Sequence, residues 1–470
     1  MTKSLDESLS FFKDKVSDCI KSGKSISITT HIDCDGLTSG SIITKALIRA
    51  GAKCTVRTSK EFSKNIAESF KTDSRDFHII TDLAGGFANT LDETLGDDWI
   101  VLDHHQIPDE EKDNQNVINS WKYGIDGGVE ICAGGMAYLA SMAVDEKNSD
   151  LSAIAVVSAL GDRQDQGERK SFTGKNFEIA NVAKEQGLVE IDLDLLLVGR
   201  ETRPLADALA FTSQPFIEGL TWNREACYAL LNSSGIRLKE EGRWRVPAEL
   251  NEEEKRQVIE SITKFTSGKN ATEIMSELIG YTYTFPREDR RSFLRDGREF
   301  STMLNSCGRI NRSGVGMAVC MGDRNKILRE GEVILTDYRK MIREYMNVLS
   351  NERWRISESE TCVMVNGADI VPETMTGTIS SLIAGSPKNS GKIVILRTNG
   401  EENTIKFSSR KSFSCKSDIN LSELMRTGAA KFDGIGGGHA AAAGAKITKD
   451  KLDEFLNYLE ANVVNVSSAN

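Results

Sequence analysis

The sequence predicts an α/β architecture. An N-terminal domain holds a parallel sheet flanked by helices, a helical or mixed insertion follows, and a long connector helix leads to a smaller C-terminal α/β domain. Three observations carry this reading. Short strands alternate with helix-spaced segments through the first hundred residues, and three of those strands are each followed by a polar cluster, two of them ending directly in carboxylates. Ile334, Tyr338, Met341, Tyr345 and Val348 are spaced 4, 3, 4 and 3, the seam of one long two-sided helix. Strand and helix patterns then resume, and 470 residues with 39% hydrophobic content suffice for two or three cores.

Taken in order, Ser25 to Thr30 alternates as a short strand that delivers His31, Asp33 and Asp35 at its end. Leu37, Ile42, Ile43, Ala46, Leu47 and Ala50 follow with helical spacing, closed by Gly51. Cys54 to Arg57, Asp76 to Thr81 and Trp99 to Leu102 are further strands, the last two running straight into Asp82 and Asp103. Ligands of an open α/β sheet bind at the carboxyl ends of its strands, so these polar clusters converge on one crevice. Ser152 to Leu160 reads as a buried helix ending in Gly161-Asp162, and a carboxylate at the end of an apolar element needs a partner or a metal.

Asn251 with Glu252, Glu253 and Glu254 starts a helix in the middle region. The basic stretch Arg287, Arg290, Arg291, Arg295 and Arg298 is interleaved with Glu288, Asp289, Asp296 and Glu299, which favours a solvated face over a nucleic-acid track. In the C-terminal domain, Lys392 to Leu396 and Asn403 to Phe407 read as strands, and Leu452, Phe455, Leu456 and Leu459 mark the last helix. Gly436-Gly437-Gly438-His439 offers successive bare backbone amides, a candidate concavity for phosphate, with Lys406 and Arg410 as charged partners.

Four of the five histidines lie in carboxylate-rich clusters: His31 with Asp33 and Asp35, His78 before Asp82, and His104 and His105 after Asp103. Imidazole with carboxylate suits a divalent transition ion, and several such groups at strand ends can hold two. His78, inside a strand, reads as a core or edge histidine, and Asp165 as a turn or cap residue. The net charge of −10 argues against a surface that attracts nucleic acid everywhere and confines such contact to a local groove. Nine cysteines without CxxC pairing support neither a disulfide framework nor a thiolate zinc site. The charged N-terminus lacks a signal-peptide core, and no apolar run approaches the roughly 20 residues that span a bilayer, so a cytoplasmic protein without membrane contact is expected.

In this order the motifs HIDCDG (31–36), TDLAGG (81–86), LDHH (102–105) and GD (161–162), followed by Lys406, Arg410 and the distant GGGH, resemble the DHH phosphoesterase family. With GRETRPLADALAF (199–211) and LNSCGR (304–309), the chain is most similar to archaeal RecJ-like exonucleases, a group that includes the GINS-associated nuclease. The resemblance implies a DHH catalytic domain over 1–234, a middle insertion over 235–327, a connector over 328–358 and a nucleic-acid-binding domain over 359–470. It implies that His31 and Asp33 bind one metal, that Asp35, His104 and Asp162 bind the other, and that Asp82 bridges them. A carboxylate can serve two cations, whereas a neutral imidazole has one free lone pair. Asp103 would orient an imidazole, and His105 would face the scissile phosphate. The cofactors implied are two divalent cations, Mn²⁺ foremost with Mg²⁺ as the alternative, which activate water for in-line attack.

The expected activity is exonucleolytic release of nucleotides from single-stranded DNA or RNA. Two alternatives stand beside it: hydrolysis of short oligonucleotides or cyclic dinucleotides, and a replisome-binding subunit, with GINS or a helicase as partner, in which nuclease activity is secondary or lost.

Overall fold

The computed structural model describes residues 4–266, 271–412 and 414–463. The chain forms two compact units, residues 1–335 and 336–470.

In the first unit, β1 (Ser25–His31), β2 (Lys53–Ser59), β3 (Phe77–Thr81), β4 (Trp99–Asp103) and β5 (Val117–Asn119) form a parallel sheet in the order β2-β1-β3-β4-β5. Ile28, Ile79, Ile100 and Leu102 share one core with the helices Leu5–Lys21, Cys34–Arg49 and Ala133–Val144. Ile80, Trp99 and Val101 point the other way, onto Phe70 and Leu91. Both faces are covered, so β3 and β4 are buried at every position and mostly apolar rather than alternating. The strand order reverses between β1 and β3, and the crevice that such a reversal opens lies at their carboxyl ends, where His31 and Asp82 stand.

The helix expected from Leu37 begins three residues earlier, at Cys34, because the Asp33 side chain accepts a hydrogen bond from the Gly36 amide at 3.0 Å and caps it. A Cβ on Gly36 would collide with the His31 backbone carbonyl, so the sharp reversal after β1 needs glycine there.

Residues 279 to 335 return to this unit's core. Phe300, Met303 and Leu304, on the helix Gly297–Arg309, pack with Cys34, Val156 and Leu160. Asn305 accepts a hydrogen bond from the Cys34 amide at 3.0 Å, and Gly308 lies against the Ile32 carbonyl with no room for a Cβ. By contrast, Leu209, Leu231, Val258 and Leu278 belong to a separate core formed within residues 195–279, entered and left through the antiparallel pair β6 (Glu190–Leu195) and β7 (Ile279–Thr284). The segment 235–327 is therefore divided between two cores. Three arginines of its basic run are engaged internally, while Arg287 and Arg290 are exposed: Arg291 pairs with Glu249 at 2.8 Å, Arg298 with Asp165 at 2.7 Å, and Arg295 donates to the carbonyls of Pro286 and Glu288.

The connector helix expected over 328–358 runs instead from Lys326 to Asn351, with Ile334, Tyr338 and Leu349 buried, and residues 356–358 are already a strand. In the second unit, β8 (Ile356–Glu358), β9 (Cys362–Asn366), β10 (Ile393–Asn399), β11 (Thr404–Lys411), β12 (Ile435–His439) and β13 (Ala442–Thr448) form a sheet in the order β8-β9-β10-β11-β13-β12. Helices Leu421–Ala430 and Leu452–Val463 cover one face through Met425, Phe455 and Leu459. All nine cysteines are free thiols, seven of them buried. Among the described residues no helix is long and apolar enough to cross a membrane.

Gly308 is the tightest point between the late helices and the metal-motif loop. Gly308→Val is expected to lower unfolding free energy by about 2 kcal/mol or more through overpacking, whereas Gly314→Ala, with open space around it, should stay within about 0.5 kcal/mol of the wild type. Urea midpoints of the two variants check this.

Candidate metal centre

The first cluster forms where β1 and β3 end. His31 Nδ1 lies 3.0 Å from Asp33 Oδ1 and 3.5 Å from Asp82 Oδ2. Asp82 follows β3 with a left-handed backbone, φ 59°, a conformation that aspartate tolerates better than most residues and that turns its carboxylate into the crevice. Its other oxygen, Oδ1, lies 3.4 Å from His104 Nε2 at the end of β4. Asp82 thus presents one oxygen to each imidazole.

Around His104 stand Asp35 and Asp162. Asp35 is held by the first turn of the helix Ala133–Val144: its Oδ2 accepts from the Ala133 amide at 2.8 Å and its Oδ1 from the Gly134 amide at 2.8 Å and from the Ser158 hydroxyl. Amides at a helix start favour a carboxylate. His104 Nε2 is 3.3 Å from Asp35 Oδ2, and its Nδ1 donates to the Gly127 carbonyl at 2.6 Å. A carbonyl only accepts, so the proton sits on Nδ1 and Nε2 is the nitrogen that faces the carboxylates. Asp162, which caps the helix Ser152–Gly161, completes the group, and single donor atoms of Asp35, His104 and Asp162 lie within 4.8 Å of one another, as do those of His31, Asp33 and Asp82.

Asp103 is occupied otherwise. Its Oδ1 accepts from the His104 amide at 2.8 Å and from His105 Nδ1 at 2.8 Å, and its Oδ2 from the Gly85 amide at 3.0 Å. The carboxylate therefore orients the ring of His105 and only the backbone of His104. His105 is 47% exposed, and its ring lies against that of His104 with centroids 4.4 Å apart.

Burial and mutual repulsion set the electrostatics. Burial, then the charges of Asp82 and Asp162, hold the Asp35 carboxyl at about 8 despite His104 and Ser158. Burial also lifts Asp162 to about 6. Burial pulls both His31 and His104 down, but the surrounding aspartates outweigh it and push each imidazole well above its ordinary value. Burial would raise Asp103, yet His105 and then His104 take it down to about 2, and His31 likewise depresses Asp33. Each close imidazole–carboxylate approach is thus stabilised by a proton in the place where a cation would serve better.

A divalent ion fits this donor set. Asp82 is 2% exposed and its Oδ2 has no hydrogen-bond partner, although a buried carboxylate oxygen without one is costly. A cation held by Asp82 and His31 would remove the cost.

The remaining sequence candidates divide. His78 is a core residue stacked on Phe70, with centroids 4.7 Å apart, and takes no part. Asp165 accepts from Arg298 rather than capping a turn. The glycine run Gly436, Gly437, Gly438 is not the concave loop expected from its bare amides; with His439 it forms the edge strand β12, paired with β13. Gly436 faces the helix Leu421–Ala430, where a Cβ would strike the Met425 carbonyl, and Gly438 has φ 134°. On the opposite sheet face, registration places Ile435, Lys446 and Lys406 in one row, Gly437, Gly444 and Ser408 in the next, and His439, Ala442 and Arg410 in the third. Lys406, Arg410, Gly437 and His439 are therefore brought to one face, while Gly436 and Gly438 are not. Arg410 Nε donates to the Ser381 hydroxyl at 3.0 Å. Lys446 was missed in the sequence. It is the register partner of Lys406 and pairs with Glu373 at 3.4 Å; the signal was its place two residues beyond Gly444.

Comparison with known proteins gives concordant matches. Residues 25–161 match the DHH family, N-terminal domain, residues 197–279 the DHH-CID domain and residues 362–465 the DHHA1 domain. An uncharacterized protein of Methanocaldococcus jannaschii is 28% identical over 93% of this chain and 92% of its own. A manganese complex of RecJ from Thermus thermophilus aligns with a TM-score of 0.60 and 15% identity over 97% of this chain; this chain spans 54% of that protein's length. CDC45 from Entamoeba histolytica aligns with a TM-score of 0.62 and 13% identity over 97% of this chain and 98% of its own.

The protonation pattern predicts a pH slope. Asp35 and Asp162 are raised above ordinary carboxylates, and His31 and His104 above ordinary imidazoles. Between about pH 4 and 8 the metal-free native state therefore binds more protons than the unfolded chain, and stability falls as pH rises. The depressed Asp103 and Asp33 act oppositely, and only below about pH 4. In chelator, the melting temperature should drop from pH 5.5 to pH 8, Asp35→Asn should flatten that drop, and Mn²⁺ should raise the melting temperature more at pH 8. Calorimetry at the two pH values tests it, and a Mn²⁺ effect equal at both would contradict it.

Proposed function

We propose, from the premise that this chain is a DHH-family protein of RecJ-like fold, that it is a two-metal phosphodiesterase which removes nucleotides from the ends of single-stranded DNA or RNA. The observation that carries the reading is the placement of Asp82, with Oδ2 toward His31 and Oδ1 toward His104. His31 and Asp33 would hold one cation, Asp35, His104 and Asp162 the other, with Asp82 shared. Mn²⁺ suits the imidazole content best, and Mg²⁺ is the alternative. When bound, such ions lower the pKa of water and neutralise charge on the phosphoryl oxygens.

The protein's own groups supply the rest. Asp103 holds His105 through Nδ1 and raises its proton affinity against the effect of burial, so the exposed ring is suited to donate toward a phosphoryl or leaving-group oxygen. Lys406, Lys446, Arg410 and His439 would contact the strand's phosphates from the face that Gly437 and Gly444 leave bare. A second anion-binding face gives a polymer a hold that a dinucleotide does not need, which favours strands over short or cyclic substrates. The likeness to CDC45 keeps a second reading, a replisome-binding subunit with GINS or a helicase as partner. The complete donor set favours the catalyst.

End-labelled single strands of DNA and RNA, digested with Mn²⁺ or with chelator, test the activity; release of mononucleotides with Mn²⁺ alone is expected. Asp82→Ala should abolish turnover in a folded protein. His105→Ala should cost roughly 10²- to 10⁴-fold in turnover with metal content unchanged, whereas His104→Ala should lose an ion. Metal analysis beside the rates separates these roles. Arg410→Ala and Lys446→Ala should each weaken strand binding and reduce the salt slope of log affinity by about one phosphate contact, with hydrolysis retained at saturating substrate. Unchanged affinity and slope with lost turnover would make that face catalytic.

A further inference from the structure

Gln164 lies two residues beyond Asp162 and is completely buried. The two N–H groups of its Nε2 face three acceptors, Asp162 Oδ2 at 2.8 Å, the Gly127 carbonyl at 2.8 Å and, sharing a hydrogen at the longer 3.2 Å, the Ile131 carbonyl, while its Oε1 accepts from Asn176 Nδ2 at 2.5 Å. The amide can stand only this way round, since the reverse would set an acceptor against three acceptors. The Gly127 carbonyl is also the acceptor of His104 Nδ1 at 2.6 Å. One side chain therefore touches one proposed metal ligand directly and shares a carbonyl with another. Both belong to the same donor group, that of Asp35, His104 and Asp162, and no contact leads from Gln164 to His31 or Asp33.

We propose that Gln164 is a positioning residue that selectively builds one of the two cation sites, by fixing Asp162 and the Gly127 carbonyl that sets the His104 tautomer. The inference rests on the two-cation reading above. With Oδ2 engaged by Gln164, Asp162 has Oδ1 left for a cation, and with Nδ1–H held by Gly127, His104 has Nε2. Removing the amide donor frees Asp162 to rotate, leaves its Oδ2 to seek another partner and takes away one of the two donors that hold the Gly127 carbonyl against His104, whereas the His31, Asp33 and Asp82 group keeps its own contacts. Partners that orient metal ligands in this way commonly govern affinity by roughly 10- to 100-fold.

The test is Mn²⁺ binding to the purified full chain, followed by calorimetric titration and by electron paramagnetic resonance, in the wild type, Gln164→Leu and Gln164→Glu. Gln164→Glu keeps the shape and the Asn176 acceptor but removes the amide donor, so it preserves the test if Gln164→Leu does not fold. The wild type should bind two ions with the exchange-coupled spectrum of a pair. Either folded variant should bind one ion with wild-type affinity and the second roughly 10- to 100-fold more weakly, showing an isolated-ion spectrum at one equivalent and at concentrations that pair the wild type. Two ions bound with unchanged affinity by the variants, or equal weakening of both, would overturn the role of Gln164. Failure of the wild type to bind two would overturn the two-cation reading instead.

Discussion

Four carboxylates and two imidazoles share one buried crevice, and the first unit is organised around holding that charge. Two like charges about 5 Å apart repel by roughly 3 kcal/mol even at an effective dielectric of 20, so Asp35, Asp82 and Asp162 are tolerated together only because something opposes them. Part of the opposition is internal. The Ala133 and Gly134 amides and the Ser158 hydroxyl hold Asp35, Gln164 holds Asp162, and His31 and His104 keep protons they would otherwise release. The remainder, marked by the unpartnered oxygen of Asp82, is suited to divalent cations.

This constraint explains features that are otherwise unconnected. Glycine at 85 lets its amide approach Asp103, and a Cβ there would crowd the same carboxylate. Glycine at 127 allows its segment to pass under the His104 carbonyl, where Trp121 Nε1 also donates at 2.8 Å. The helix Gly297–Arg309, far along the chain, reaches back through Asn305 to the Cys34 amide, so the helix start between Asp33 and Asp35 is also held from late in the chain. The sequence invests glycine and amide side chains where ligands must be held without added bulk.

Much of this was legible in the sequence because the strands and the polar residues at their ends are local. β1 alternates, β3 and β4 are mostly apolar, and they lead into His31, Asp82 and Asp103, so a periodicity and a polar terminus suffice to find them. What sets the ligands was not legible. Gln164 stands in no motif or periodic pattern, and its contacts to Gly127 and Ile131 arise only when distant loops meet. The three-residue β5 was too short for a pattern, and the division of 235–327 between two cores was hidden because Leu278 and Leu294 carry no mark of the cluster they join. The glycine run misled for a related reason. Bare amides suit a phosphate nest, but glycine is equally required where a helix crosses a strand closely, and that is what Gly436 does beneath Met425.

On the reading proposed above, one buried carboxylate, that of Asp82, would serve two cations. Anomalous diffraction at the manganese edge, from crystals of the full chain grown with Mn²⁺, tests this most directly. Two peaks roughly 3.5 to 4 Å apart are expected, one beside His31 and Asp33, the other beside Asp35, His104 and Asp162, with Asp82 touching both. A single peak, or two peaks that Asp82 does not join, would contradict it.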